Sequence, residues 1–223
     1  MKRMVVIGLG AVAAIAVVVW ALGAVAHSEF FVIRRVEVRG TQYLEPTSIV
    51  AALDLEPGAH LFDPTEAMVD RVLQIPGVDA TEVGRRWPGT LVVTVVERTP
   101  VALASAKAGL VLMDGQGRML PFDPRQDPQR LPVVEPDSAV TAVLHRVRET
   151  DHELFEGIDR ASRVREGVAL FAADKRYLVR LHPAREAIQD LAAVIRDLQQ
   201  RGYSYRELDA RFASRVFVRM RWS

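Results

Sequence analysis

Histidine is the first side chain to test for chemistry, and the chain has five: His27, His60, His145, His152 and His182. None forms the H-E-x-x-H pair that presents two imidazoles to zinc from one helical face. His145 and His152 are seven apart and close enough to share a helix face near Glu149, but no further ligand accompanies them. They read as surface histidines rather than a metal site. There is no cysteine, hence no thiolate nucleophile, thiolate metal site or disulfide. A G-x-S-x-G elbow, a phosphate-cradling Walker loop and a G-x-G-x-x-G turn are all missing. Gly115 and Gly117 belong to Asp-Gly-Gln-Gly, a tight hairpin turn that explains them without a phosphate. The acidic residues are scattered, with Asp63 in a helix-capping position and Glu97 closing a strand.

Nucleic-acid binding fares no better. The formal net charge is +1, and Trp87, Tyr203, Tyr205 and Trp222 are too dispersed for a stacking platform. The expectation is therefore a binding or assembly protein with no catalytic, cofactor or metal site.

The elements along the chain are well punctuated. Residues 5–26, "VVIGLGAVAAIAVVVWALGAVA", carry no charge. As a helix they span about 33 Å, enough for a bilayer core of about 30 Å. Lys2 and Arg3 precede the run and keep residues 1–4 in the cytoplasm by the positive-inside bias. Ala24-Val25-Ala26 also has the form of a leader cleavage site, so a removed signal peptide is the alternative. The length of the run and Trp20 at an interfacial position favour a retained single-pass anchor.

Residues 30–39, "FFVIRRVEVR", read as a strand stopped by Gly40. Pro46 opens a short helix with Ile49, Val50 and Leu53 as its stripe. Asp63, Pro64 and Glu66 read as the capping box of a second helix, with Met68, Val69, Val72 and Leu73 toward the core. Strands follow at 78–87 and 90–98 around the Pro88-Gly89 turn, which gives β-α-α-β-β.

Past Pro100, short strands are expected at 101–106, 110–114 and 119–122, then a connector rich in proline and charge. A helix at 139–150 precedes strands at 158–165, 168–171 and 177–181. A helix opened by Pro183 carries Ile188, Leu191, Ala192, Ile195 and Leu198 at helical spacing, with Gly202 as its cap. A last strand runs over 215–221.

In this order the features resemble the FtsQ/DivIB family of bacterial cell-division proteins. The residues that carry the resemblance are "FVIRRVEVRGTQYLEPTSIVAAL", "VDATEVGRRWPGTLVVTVVERTPVA", "LVLMDGQGRML" and the closing "ELDARF" with "RVFVR". Ala210 stands where the family usually has a larger apolar residue. The resemblance implies an α+β chain with a single transmembrane helix at 5–26. A POTRA domain at 29–98 and an FtsQ-type β domain with flanking helices at 99–223 would follow. Glu97, Arg98 and Pro100 would form the domain junction. It further implies a non-catalytic scaffold in the inner membrane, concentrated at the septum, that recruits septal peptidoglycan synthesis. Its partners would be FtsB-like and FtsL-like single-pass proteins and septal peptidoglycan synthase components, one partner docking a strand on a C-terminal edge formed by Arg211, Phe212, Arg215, Val216, Phe217, Val218 and Arg219. Two alternatives stand beside it: a POTRA-bearing component of an envelope export system, and an anchored extracytoplasmic hydrolase.

Overall fold

The computed structural model describes residues 16, 17, 20, 29–106, 109–126, 130–212 and 215–220. The apolar run at 5–26 thus lies, apart from residues 16, 17 and 20, outside the described residues. Among the described residues no helix is long and apolar enough to cross a membrane. The chain divides into two compact units, Met1–Glu97 and Arg98–Ser223.

Over its described residues from 29 on, the first unit is a three-stranded sheet covered by two short helices. Its elements are β1 (Arg35–Arg39), α1 (Pro46–Ala52), α2 (Glu66–Leu73), β2 (Val78–Arg86) and β3 (Thr90–Glu97). The sheet order is β1-β3-β2. β3 lies parallel to β1 and antiparallel to β2, so the central strand is the last to be made. A parallel neighbour requires a crossover, and the two helices with β2 supply it. Leu91, Val93 and Val95 alternate along β3 and are buried against Ile49, Leu53, Leu61, Met68 and Val72. Val92 and Val96, on the opposite face, are half-buried and exposed.

Three expectations for this unit need correction. The strand expected at 30–39 begins only at Arg35, because the residues before it have other partners. Glu29–Phe31 is a 3-10 turn. Val32 bridges to His60, and Leu61 N–H donates to the Phe31 carbonyl. The capping box at Asp63 does not form either. The Asp63 carboxylate accepts from His60 N–H at 2.7 Å and closes a turn, and α2 starts at Glu66 behind Thr65 with no side-chain cap. Finally, Val50 and Leu73 are exposed although both fall on the expected apolar stripes. A helix of seven or eight residues presents little more than one row of side chains to a narrow sheet, here Ile49 on α1 and Met68 with Val72 on α2.

Among the described residues the second unit holds one nine-stranded sheet. Its elements are β4 (Pro100–Ala106), β5 (Gly109–Asp114), β6 (Met119–Leu120), β7 (Val133–Val134), α3 (Ser138–Thr150), α4 (His152–Glu156), β8 (Arg160–Val164), β9 (Gly167–Ala172), β10 (Lys175–Val179), α5 (Arg185–Gln200), β11 (Tyr205–Phe212) and β12 (Arg215–Met220). The order is β12-β11-β10-β9-β8-β7-β4-β5-β6. Two pairs with helices between them are parallel, β7 with β8 and β10 with β11. The α3–α4 pair and α5 are their crossovers, as a parallel connection demands. Buried Val140, Val143, Leu144 and Val147 of α3, and Ile188, Leu191 and Ala192 of α5, are apolar stripes at helical spacing.

The local signals at helix ends divide in the same way. α5 begins at Arg185 rather than at Pro183. Its other end is a Schellman motif: Gly202, at φ 69°, donates to Gln199, and Tyr203 N–H reaches back to the Leu198 carbonyl. α4 and β7 are absent from the sequence reading, since five and two residues respectively carry too little periodicity to register. His145 lies on α3 and His152 on α4, each paired at 3.3 Å with a glutamate four residues on, so they share no helix. The N-terminus of α3 is capped by Asp137, whose carboxylate accepts from Ala139 N–H at 2.8 Å and Val140 N–H at 3.3 Å. Asp137→Ala is expected to cost about 1 kcal/mol, read as a lower midpoint in urea.

Candidate functional site

A sheet of nine strands has two edges, and here they differ. One is β6, two residues long; the other is β12, six residues long and paired with β11 alone among the described residues. The outer side of β12 therefore presents backbone N–H and C=O groups with no strand to meet them. Its side chains are mostly solvent-facing too: Arg215, Phe217, Val218, Arg219 and Met220 are exposed and Val216 is half-buried. Register shifts between Tyr205 and Glu207 and between Asp209 and Phe212 bend the pairing of β11 with β12.

The sequence-predicted residues fall into two strands rather than one. Arg215, Val216, Phe217, Val218 and Arg219 lie on the edge strand. Arg211 and Phe212 belong to β11, one strand inward. Phe212 nevertheless joins the edge: its ring meets that of Phe217 at 5.0 Å and 80°, and both rings are about half exposed. Arg211 does not stand on the outer edge. Its guanidinium lies 2.7 Å from Asp209 and 3.8 Å from Glu166, and its carbonyl accepts from Arg180. The hydrogen bond from Arg211 holds the Asp209 carboxyl below the usual carboxylate range.

Arg219 is held differently. Glu207, buried on β11, lies 3.4 Å from the Arg219 guanidinium and also binds Arg176 of β10. That triad borders a cavity of about 440 Å³, lined among others by Phe171, Asp174, Lys175 and Arg206. Four cations, Lys175, Arg176, Arg206 and Arg219, face two carboxylates there, Asp174 and Glu207, leaving a positive surplus. Lys175 Nζ sits 4.7 Å above the ring of Tyr205. Lys175, Arg176, Arg206 and Glu207 are absent from the sequence-derived set. No short-range signal points to them, because Arg176 meets Glu207 only through the parallel register of β10 and β11 across the whole of α5.

Each of the three junction residues is bound within its own unit. Glu97 accepts from Tyr43 N–H at 2.9 Å and Leu44 N–H at 2.8 Å, ordering the chain ahead of α1. Arg98 lies 3.6 Å from buried Asp114, and the Pro100 carbonyl accepts from Arg148 at 2.5 Å. Glu97→Ala removes the acceptor for two partly buried amides and is expected to cost about 2 kcal/mol, measured as a shift of the denaturation midpoint.

Comparison with known proteins fits this architecture. Residues 31–98 match the family model described as POTRA domain, FtsQ-type. The cell division protein FtsQ of Streptomyces venezuelae is 32% identical over 159 residues, 70% of this chain and 56% of that protein. The chain is similar to the FtsQ cell-division proteins, and residues 31–98 are its FtsQ-type POTRA domain. FtsQ of Zymomonas mobilis is 35% identical over 107 residues, 47% of this chain and 33% of that protein. FtsQ of Mycolicibacterium smegmatis is 32% identical over 106 residues, 47% of this chain and 31% of that protein. The chain described here thus spans between 31% and 56% of the length of these relatives.

Proposed function

We propose that this chain is a non-catalytic FtsQ-type scaffold of the division machinery, anchored in the inner membrane by residues 5–26. Its N-terminus is cytoplasmic and the rest extracytoplasmic, and it concentrates at the septum. It takes up an extended segment of an FtsB-like or FtsL-like partner as an added strand on β12, and in this way helps recruit septal peptidoglycan synthesis. The observation that carries this reading is the open edge of β12, with the Phe212–Phe217 pair on it and a cationic cavity beside it. Backbone hydrogen bonds along the edge would give affinity, and the aromatic pair an apolar anchor. The positive surplus selects a partner segment that is acidic.

Edge protection is the competing account, because Arg215 and Arg219 also deter edge-to-edge pairing. A guarded edge gains nothing from exposing Phe217, Val218 and Met220, so docking fits the side chains better. The test is a fluorescent fusion of the full chain followed through division, with a tagged copy recovered from the same cells. Mid-cell accumulation and recovery of a single-pass division protein are expected, with recovery falling as salt is raised. Uniform spread around the envelope of dividing cells would refute the proposal.

A further inference from the structure

The first unit carries a second exposed apolar feature, remote in sequence from β12. Phe30, Phe31, Phe62 and Trp87 form one cluster of edge-to-face rings. Phe31 is at the centre, 5.1 Å from Phe30, 5.0 Å from Phe62 and 5.2 Å from Trp87, and Phe62 and Trp87 are 5.8 Å apart. Only the central ring is buried. Phe30 is 58% exposed, Phe62 43% and Trp87 66%. Three large aromatic rings side by side in water are costly unless something covers them.

What covers them is set by where the cluster sits along the chain. The apolar run ends at Ala26, and Phe30 follows four residues later. Four residues reach at most about 14 Å even when fully extended. If 5–26 spans the bilayer, Phe30 is tethered within about 14 Å of the edge of the hydrocarbon core, and Phe62 and Trp87 are held near it through Phe31. Two arginines stand on the rim of the patch, with the acidic residues Glu29 and Asp63 beside them. Exposed Arg34 donates to the Glu29 carbonyl at 3.0 Å. Exposed Arg85 donates to the Leu61 carbonyl at 2.6 Å and the Asp63 carbonyl at 2.9 Å, which moors its charge beside Phe62. Among the described residues neither guanidinium has a carboxylate within ion-pair distance. Tryptophan and phenylalanine rimmed by arginine is the composition of a surface that lies at the boundary between headgroups and acyl chains.

We infer that Phe30, Phe62 and Trp87, with Arg34 and Arg85, dock the first unit on the outer leaflet as an aromatic foot, its occupant being anionic phospholipid. This rests on the reading of 5–26 as a retained anchor. The foot adds a fixed stance to the covalent tether and sets the face of the unit that looks away from the membrane.

The chain has three tryptophans, Trp20, Trp87 and Trp222, so native fluorescence can report each part separately. The full chain is reconstituted in vesicles of mixed zwitterionic and anionic phospholipid, with or without bromine on the acyl chains. In the Trp20→Phe/Trp222→Phe variant, Trp87 emission should be quenched by brominated lipid. Its quenching by aqueous iodide should be several-fold weaker than in the same protein carrying Phe30→Glu and Phe62→Glu. The Trp87→Phe/Trp222→Phe variant reads the anchor through Trp20. Quenching of Trp20 but not Trp87 by brominated lipid, with Trp87 open to iodide, overturns the foot and leaves the anchor standing. Trp87 shielded from iodide yet untouched by brominated lipid points to a protein occupant and also overturns it. A Trp20 that brominated lipid does not quench overturns the anchor, and the foot with it.

Discussion

Replacing Gly40 with valine is expected to unfold the first unit at a cost of about 3 kcal/mol or more, a large part of a domain's stability. Gly40 follows β1 at φ 83°, in the left-handed region that β-branched residues avoid. A Cβ there would stand 2.2 Å from the Val95 carbonyl oxygen. That oxygen has little room to retreat, because Val95 lies on the central strand, paired with Thr81 of β2, and its side chain is in the core. Strain and collision therefore add. Amide hydrogen exchange should show lost protection over 35–39 and 90–97, while peptides over 167–179 in the second unit keep theirs. Retained protection over the first unit would refute this account.

Phe217→Ser is expected to weaken capture of the partner segment by about 2 kcal/mol, close to thirtyfold in Kd. The same change should alter stability by no more than about 0.5 kcal/mol, because the ring is half exposed. A binding isotherm and a urea melt on the same sample check both. Unchanged affinity would remove the edge from consideration, and a collapsed melt would mark Phe217 as structural. The structure also shows which substitution to avoid. Arg219→Glu looks like the natural charge reversal from sequence, but it would set a carboxylate beside buried Glu207. Arg219→Gln keeps the hydrogen-bonding capacity and removes only the charge.

The legible parts of this protein are those whose cause is local. The apolar period of α5, from Ile188 to Leu198, needs nothing beyond its own residues, and neither does the Gly202 cap. The same holds for Pro46 at the first position of α1 and for the Asp114 turn, where the carboxylate accepts from Gln116 N–H and Arg118 N–H. Asp63 shows how such a signal misleads. Its type and spacing suit a helix cap, but His60 N–H lies nearer once the chain before β1 folds back on 59–61.

The candidate site divides along the same line. Arg215 to Arg219 could be named from the alternation at the end of the chain, and Phe212 was within reach. Glu207, Arg176 and Lys175 were not, nor was the inward turn of Arg211. By itself the sequence determined the β-α-α-β-β order, the long amphipathic helices and the FtsQ resemblance, because periodicity, turn chemistry and motif are written in neighbouring residues. Only the tertiary structure decided that β12 is an open edge, that Arg219 shares Glu207 with Arg176, and that Phe30, Phe62 and Trp87 gather around Phe31. Each of these depends on residues tens of positions apart being brought together by strand register, which no local pattern encodes.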